Sequence, residues 1–475
     1  IGRPLDRISQ LNMIGVPDSG GVWAPCLSYD QGTFYLVYSN VKTFQGVWKD
    51  TPNFLVTAKN IEGPWSEPIF LNARGFDGSL FHDKNGKKYY LSMVVDHRSN
   101  DFFGGIIAQE YDPINAFLTG PIHRLTEGTA LGNTEGPHLY QKDGYYYLLL
   151  AEGGTEYGHA SSVARSESLF GPYTFHPDNP IVTAKGSPEA PIQKTGHGDF
   201  VEGQNGDWWF VYLCGRPLSS LGRCTLGRET CIEQLTWEDG WPKLSTGNKL
   251  TRTKIPSATE KEPTSFSKIN FDQAELDIHF QSLRIPVEDS WCSLTEHPGY
   301  LRLYGRESLS SLLEQSLIAR RVQHFKGTAQ TQLNFQPDNF QQMAGLVCYY
   351  NTYHWFYLNV YGDENQQRNL QIIACDKYNM YNVLPEPQLL PASGEISLQA
   401  QWDHAVLQFS YALEAEQWLP IGPELDFSIL SDDYVRDEQN RYRPAFTGTF
   451  IGMCCQDLSG LNKHADFGWW YYEGE

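Results

Sequence analysis

The sequence lacks the features that mark several large classes of protein. No run of about 18 apolar residues occurs in its 475 residues, so no helical membrane span is predicted. Basic residues are also few, 36 against 56 acidic residues. The resulting formal charge of −20 argues against nucleic acid or an anionic membrane as the partner, because both require a positive surface.

The sequence also lacks cysteine pairs at the spacing that is typical of metal sites or redox-active sites. The nine cysteines include no Cys-x-x-Cys pair, and an odd number is not typical of a disulfide framework or a zinc site. No Asn-x-Ser/Thr glycosylation acceptor occurs either. These absences predict mostly buried, reduced thiols and favour a cytoplasmic over a secreted location.

Aromatic residues are abundant, at 14% of the chain, and many follow a repeated pattern. Four segments share it: a distinctive residue stands nine positions before a turn glycine, and an aromatic-rich strand follows that glycine. The distinctive residues, 54, 58 and 62 positions apart, are Trp23, Asp77, Glu135 and His197. The turn glycines are Gly32, Gly86, Gly144 and Gly206. Each segment is therefore predicted to be a β-hairpin whose glycine adopts a positive φ.

Repeats of this length predict four-stranded blades of a β-propeller. The innermost strands of a propeller line one axis, so the four distinctive residues are expected to meet at one mouth as an aromatic platform, two carboxylates and an imidazole. The alternative is that they only cap their strands. We expect a propeller over residues 1–250 with an incomplete first blade, because residues 1–22 lack the pattern. A linker over 251–268, rich in proline and threonine, and a β-sandwich over 269–475 follow.

Six motifs in order resemble glycoside hydrolase family 43, most closely its two-domain β-xylosidases. They are Trp23-Ala24-Pro25, Phe76-Asp77-Gly78, Thr134-Glu135-Gly136-Pro137-His138, Gly196-His197, Leu226-Gly227-Arg228 and Phe446-Thr447-Gly448. The resemblance implies a five-bladed propeller followed by a concanavalin-like jelly roll. It also implies hydrolysis of xylosides or arabinofuranosides with inversion, which needs one carboxylic acid and one carboxylate base.

The resemblance assigns Glu135 as the general acid and Asp77 as the carboxylate that orients it and tunes its pKa. A turn-forming aspartate is the alternative for Asp77. The family usually has proline after this aspartate, and Gly78 departs from that pattern. The family's base lies in an Asn-Pro-Asp-Pro-Ser motif that this sequence does not contain. Asp18 is only a partial look-alike in another place and is not assigned as the base, so we expect the base-bearing segment to be missing from this sequence.

The same resemblance gives candidates for substrate binding. Trp23 would form an apolar wall for the pentose, and Thr155 is a weaker candidate. Arg228 would donate to sugar hydroxyls, the alternative being a surface arginine between turns. Phe446 or Phe450 would close the pocket from the sandwich, although either residue is equally expected in the sandwich core. His197 is expected near a calcium ion or a water cluster, the alternative being an ordinary buried histidine.

We therefore predict an exo-acting β-1,4-xylosidase that acts on xylooligosaccharides or arabinoxylan fragments. The alternatives are an α-L-arabinofuranosidase, an enzyme with both activities, and a sugar-binding propeller without turnover. The resemblance also implies a homodimer or homotetramer. No organic cofactor is expected.

Overall fold

The computed structural model describes residues 2–44, 46–98, 102–256, 266–415, 417–436 and 445–475. The predicted linker falls partly on residues 257–265, which lie outside the described residues. Over the described ranges nearly all regular structure is β-strand, and no helix there is long and apolar enough to cross a membrane. The chain is therefore an all-β protein, as predicted.

The first half of the described chain forms four sheets, each built from strands that are consecutive in sequence. The strands are β1 (Gly21–Asp30), β2 (Thr33–Val41), β3 (Asn53–Ala58), β4 (Ile69–Asn72), β5 (Ser79–His82), β6 (Lys88–Val95), β7 (Phe103–Asp112), β8 (Phe117–Thr126), β9 (Glu135–Lys142), β10 (Tyr145–Glu152), β11 (Ala160–Ser166), β12 (Thr174–Phe175), β13 (Val182–Thr183), β14 (Gln193–Glu202), β15 (Trp208–Gly215), β16 (Glu229–Glu238) and β17 (Trp241–Leu244). The sheets comprise β1–β4, β5–β8, β9–β13 and β14–β17. This is a propeller arrangement with four blades in the described residues.

Each blade begins with the antiparallel hairpin that the repeat predicts. β1 pairs with β2, β5 with β6, β9 with β10, and β14 with β15. The four turn glycines have φ values between 77° and 88°, a backbone conformation that residues with a side chain rarely adopt. The hairpin prediction is therefore confirmed at all four positions.

The inner strands β1, β5, β9 and β14 lie side by side in that order. At the start of three of them a non-glycine residue has a left-handed backbone: Ala24 (φ 35°), Asp77 (φ 56°) and His197 (φ 44°). In β9 the corresponding left-handed residue is Gly136, which follows Glu135. Irregular pairing accompanies these residues in β1, β9 and β14. The repeated distortion turns this end of each inner strand toward the axis.

The second half of the described chain is a sandwich of two eight-stranded sheets. Its elements are β18 (Phe266–Ile269), β19 (Phe280–Ser282), β20 (Cys292–Ser293), β21 (Leu301–Tyr304), β22 (Ser316–Arg321), β23 (Lys326–Asn334), β24 (Gln342–Asn351), β25 (His354–Gly362), β26 (Arg368–Asp376), β27 (Asn379–Asn382), β28 (Gln388–Leu389), β29 (Ile396–Asp403), β30 (Val406–Ala412), β31 (Leu419–Asp426), a 3₁₀ turn (Phe427–Ile429), α1 (Asp432–Val435), β32 (Phe450–Asp457) and β33 (His464–Gly474). One sheet has the order β20-β21-β33-β23-β29-β30-β31, with β18 beside β33. The other has the order β19-β22-β32-β24-β25-β26-β27, with β28 beside β26. One continuous apolar core fills the space between the two sheets.

The sandwich packs against the propeller beside the mouth of the blades. Gly227 and Gly448 cross there so closely that a Cβ atom added to Gly227 would lie 2.3 Å from the Gly448 backbone nitrogen. Both glycines also have positive φ. Because a side chain at either position would meet backbone, this crossing requires glycine on both sides.

Candidate active site

The repeat brings its four distinctive residues to one cavity at the mouth of the propeller. Trp23, Asp77, Glu135 and His197 all line this cavity, which has a volume of about 550 Å³. Thr155, Arg228 and Phe446 line it as well. The predicted convergence of the inner strands is therefore confirmed for all four positions.

The two carboxyl groups lie in a buried environment and affect each other. Burial raises the pKa of Glu135 well above its usual value, and the nearby Asp77 carboxylate raises it further, while Lys49 opposes the shift. Burial also raises the pKa of Asp77, although His197 and a backbone hydrogen bond from Gly136 act in the other direction. An acid beside a second carboxylate in this setting keeps its proton toward neutral pH.

Asp77 is held from three sides. The Gly136 backbone bonds to its carboxylate, the His197 Nδ1 lies 3.8 Å from its Oδ2, and the Tyr90 ring packs beside the next residue. A Cβ atom at Gly78 would lie 2.6 Å from a Tyr90 ring carbon. The space that the family's proline would need beside Asp77 is thus filled by Tyr90, which explains the glycine at this position.

His197 lies between the two catalytic candidates rather than apart from them. Its Nδ1 faces Asp77, and a Cβ atom at Gly136 would lie 2.5 Å from its Nε2. The imidazole therefore packs against the backbone beside Glu135 and lies close to the Asp77 carboxylate. Gly136 has to be glycine because the histidine ring occupies the place of its side chain.

Arg228 reaches the cavity through a buried ion pair with the sandwich. Its Nη1 donates to Asp432 Oδ2 at 2.6 Å, and its Nη2 donates to the Thr155 carbonyl at 2.5 Å. Only 4% of the Arg228 side chain and 1% of the Asp432 side chain are exposed. Tyr350 holds the other Asp432 oxygen through its hydroxyl at 2.7 Å. Asp432 was not predicted, because no repeat or motif in the sequence marks it.

Aromatic rings from both domains form the apolar side of the cavity. The Trp23 ring meets Phe76 edge-on at 5.2 Å and Phe446 edge-on at 6.0 Å. Of the two candidates for the closing aromatic, the structure places Phe446 at the cavity and Phe450 in the sandwich. Phe450 begins β32, pairs with residues of β22 and β24, and packs against the sandwich core.

Asp18 is engaged in the interface between the domains. Its Oδ1 accepts a hydrogen bond from Arg284 at 2.7 Å, and its Oδ2 accepts from the backbone and hydroxyl of Thr352. A carboxylate tied in this way to an arginine has no free face to activate water. The structure therefore agrees with leaving Asp18 out of the catalytic set.

Lys49 is a further charged group that the sequence did not single out. It lies in the connection between β2 and β3, where its ammonium donates to the Phe44 and Gly46 carbonyls. Its positive charge lowers the pKa of Glu135. No equivalent lysine marks the other repeats, so the internal pattern could not have identified it.

Comparison with known proteins gives a consistent result for both domains. A sequence model of glycosyl hydrolases family 43 matches residues 1–242. A model of the β-xylosidase C-terminal concanavalin A-like domain matches residues 268–473. The second match agrees with the two-sheet sandwich described above.

Individual relatives match over almost the entire chain. A β-xylosidase of Bacillus subtilis is 44% identical, with 100% of this chain and 90% of that protein covered. The xylosidase/arabinosidase 43B of Humicola insolens is 43% identical, with coverage of 99% and 88%. The crystal structure of a xylan β-1,4-xylosidase from Bacillus halodurans superimposes with a TM-score of 0.94 at 47% identity, covering 100% of this chain and 90% of that one. The chain therefore belongs to glycosyl hydrolase family 43.

Proposed function

We propose that the protein is an exo-acting β-xylosidase that removes xylose from the non-reducing end of β-1,4-xylooligosaccharides with inversion. The observation that carries the proposal is the Glu135 carboxyl beside Asp77 in a cavity of about 550 Å³, where burial raises the pKa of Glu135 well above its usual value. The names of the B. subtilis and B. halodurans relatives support the choice of substrate. The H. insolens relative carries both activities in its name, so arabinofuranosides are the competing substrates.

In this mechanism Glu135 donates its proton to the glycosidic oxygen as the bond from that oxygen to the anomeric carbon breaks. Water then bonds to the anomeric carbon from the opposite face, and a carboxylate base takes the proton that the water loses. Asp77 keeps Glu135 protonated before the step and orients it. Because the acid and the base act on opposite faces of the sugar, the configuration inverts.

The remaining cavity residues would bind the sugar. Trp23 offers an apolar face to the pentose ring, and Phe446 closes the cavity from the sandwich side. Arg228 lines the cavity, where its guanidinium would bind sugar hydroxyls. Thr155 and His197 line the same wall.

The architecture we propose is a five-bladed propeller with a jelly-roll sandwich. Support comes from apolar side chains on the outer faces of the first and last described blades. Leu27 and Tyr29 are 47% and 59% exposed and alternate with Cys26 and Ser28, which face the second blade. Ile232 is exposed in the last blade. A fifth blade between these faces would cover them, and the water-activating aspartate implied by the resemblance would lie on it.

Calcium beside His197 stays a prediction. Calcium takes six to eight oxygen ligands, but around His197 the structure places one imidazole and the Asp77 carboxylate. Among the described residues, no metal-competent group of three ligand atoms includes His197. These residues do not fit a calcium site built by protein oxygens, and no catalytic step is assigned to calcium. If added calcium changes neither the melting temperature nor the activity of the chelated protein, the prediction is wrong.

The cytoplasmic location and the dimeric or tetrameric state also stay predictions. Light scattering of the purified full-length polypeptide would measure the assembly directly. Fractionation of the native cells would test the location.

The deciding experiment uses Glu135→Gln in the full-length polypeptide. We expect kcat/KM on xylobiose to fall about 10²–10⁴-fold, the range for loss of a positioned acid. A dinitrophenyl xyloside, whose leaving group needs no proton, should lose far less. The matched control, Glu110→Gln in β7, should behave as the unaltered protein.

Three outcomes would contradict the proposal. If kcat/KM of Glu135→Gln falls equally on xylobiose and on the dinitrophenyl xyloside, Glu135 is not the general acid. Faster turnover of an aryl arabinofuranoside than of the xyloside would make the protein an arabinofuranosidase. Sugar binding without turnover in the full-length polypeptide would favour a non-catalytic propeller.

A further inference from the structure

Three further side chains with metal-binding atoms meet on the axis of the propeller, in the cavity that Asp77 and Glu135 also line. Cys26 lies on β1, His138 on β9 and Asp199 on β14. The thiol sulfur, a ring nitrogen and a carboxylate oxygen all lie within 4.8 Å of one another. The His138 Nδ1 is 3.7 Å from the Asp199 Oδ1. Three separate blades thus contribute one ligand atom each to a single point.

The neighbours of this cluster hold its ligands in place. The Phe200 backbone N–H donates to the Tyr140 hydroxyl at 2.9 Å, and that hydroxyl in turn donates to Asp199. A backbone hydrogen bond links Leu80 to the Cys26 sulfur. Cys26 is 9% exposed, and the His138 side chain is 14% exposed. Metal centres have such outer hydrogen bonds, which orient the ligand atoms.

The donor set selects the kind of ion. A thiolate and an imidazole suit zinc and similar borderline-soft cations, whereas calcium and magnesium prefer oxygen ligands only. Bonds of about 2.0–2.3 Å to zinc place neighbouring ligand atoms roughly 3.3–3.8 Å apart in a tetrahedron. The longest separation in the cluster, up to 4.8 Å, would therefore have to shorten by roughly 1–1.5 Å when the ion binds. Three protein ligands leave the fourth position to water.

We propose that Cys26, His138 and Asp199 form a binding site for zinc or a similar thiophilic divalent cation that joins three blades at the propeller axis. The ion displaces the thiol proton to solvent and is bound by the resulting thiolate. An ion bound to the folded chain stabilises it by mass action. The site shares its cavity with His197 but uses other ligand atoms than the predicted calcium position, and the proposal does not depend on the proposed xylosidase activity.

The test uses the full-length polypeptide after chelation, with Zn²⁺ and Co²⁺ as probes and Ca²⁺ as the contrasting ion. We expect about one equivalent of Zn²⁺ or Co²⁺ to bind and the melting temperature to rise by a few degrees. Bound Co²⁺ should show the near-ultraviolet charge-transfer band of a cobalt–thiolate bond. Ca²⁺ should reproduce neither effect.

Variants identify the ligands. Cys26→Ser should abolish the charge-transfer band, and Asp199→Asn and His138→Gln should each weaken binding about tenfold or more. The matched control is Cys231→Ser, because the Cys214 and Cys231 sulfur atoms lie 2.9 Å apart and are the strongest competing thiol pair. The control should keep both the band and the temperature shift.

Retention of the band in Cys26→Ser, or its loss in Cys231→Ser, would overturn the assignment. So would the absence of Zn²⁺ and Co²⁺ binding in the unaltered protein. If Cys26→Ser does not fold, unchanged affinity in both Asp199→Asn and His138→Gln is the overturning result.

Discussion

The propeller and the sandwich contribute to the cavity in different ways. The propeller supplies its ionisable groups from equivalent positions of successive blades, so Asp77, Glu135 and His197 follow one rule. The sandwich supplies Phe446 at the cavity wall and Asp432, which holds Arg228 from behind. In the proposed mechanism, proton transfer thus depends on the repeat, while closure and anchoring depend on irregular segments of the second domain. Substitutions in the two regions should therefore have effects of different kinds.

The largest effect is expected from the propeller variant Asp77→Asn. Loss of its negative charge lowers the pKa of Glu135, so Glu135 loses its proton at a lower pH. The basic limb of the rate profile should shift to lower pH, and kcat should fall by about 10²-fold. A pH profile of kcat/KM on xylobiose measures both. Asp83→Asn, in the turn of the same hairpin, is the control, and an unmoved basic limb would contradict the role of Asp77.

The next effect is expected from the sandwich variant Asp432→Ala and concerns stability. Removing one partner of this buried pair leaves Arg228 with only the more distant Glu156 carboxylate, 3.8 Å from its Nη2, so unfolding free energy should fall by up to about 3–5 kcal/mol. Urea denaturation measures this loss, and KM should rise because Arg228 is no longer held. The exposed pair of Lys243 and Glu238 gives the control, since Glu238→Gln should leave stability unchanged. If the basic limb of the pH profile of Asp432→Ala also shifts to lower pH, as expected for Asp77→Asn, the two domains do not act in different ways.

A smaller effect is expected from Phe446→Ala. Loss of the Phe446 ring removes part of the cavity wall beside Trp23, so KM should rise by up to roughly tenfold, the equivalent of one ring contact of about 0.5–1.5 kcal/mol with the sugar, with little change in kcat. Phe450→Ala is the matched comparison, because that ring packs in the sandwich core. It should lower the melting temperature and leave KM unchanged. If instead Phe450→Ala raises KM and Phe446→Ala only lowers the melting temperature, Phe450 is the residue that closes the cavity.

The smallest effect on rate is expected from Lys49→Met. This variant tests whether two propeller residues, Lys49 and Asp77, change the pKa of Glu135 in opposite directions. The positive charge of Lys49 lowers the pKa of Glu135, so its removal raises that pKa. The basic limb should shift to higher pH, opposite in sign to Asp77→Asn, while the rate at the optimum changes little. Lys59→Met, on the surface of the same blade, should not move the limb. A shift to lower pH would show that Lys49 acts through structure rather than charge.

The sequence predicted the propeller part of the site well because the repeat carries spatial information. Positions nine residues before each turn glycine occupy the same place in successive blades, so their register alone placed Asp77 beside Glu135. The hairpins were predictable for the same reason, since each needs glycine at a positive φ.

The sandwich part could not be derived in this way. Asp432 lies 204 residues from Arg228, and nothing in its own neighbourhood marks it as the partner. Phe446 and Phe450 look alike in sequence, and only the start of β32 at Phe450 separates their roles. Lys49 belongs to one connection without a counterpart in the other blades. Long-range contacts of single residues leave no periodic signal in one sequence.

The left-handed backbone at Asp77 and His197 has a consequence for attempts to make the protein more heat-resistant. Residues with side chains are strained in this conformation by about 1–3 kcal/mol, and glycine would relieve most of it. A selection for survival at high temperature alone would therefore favour the loss of two side chains that line the candidate active site. Directed evolution of this enzyme for thermal stability therefore has to select for catalytic activity in every round, because stability would otherwise be gained as activity is lost.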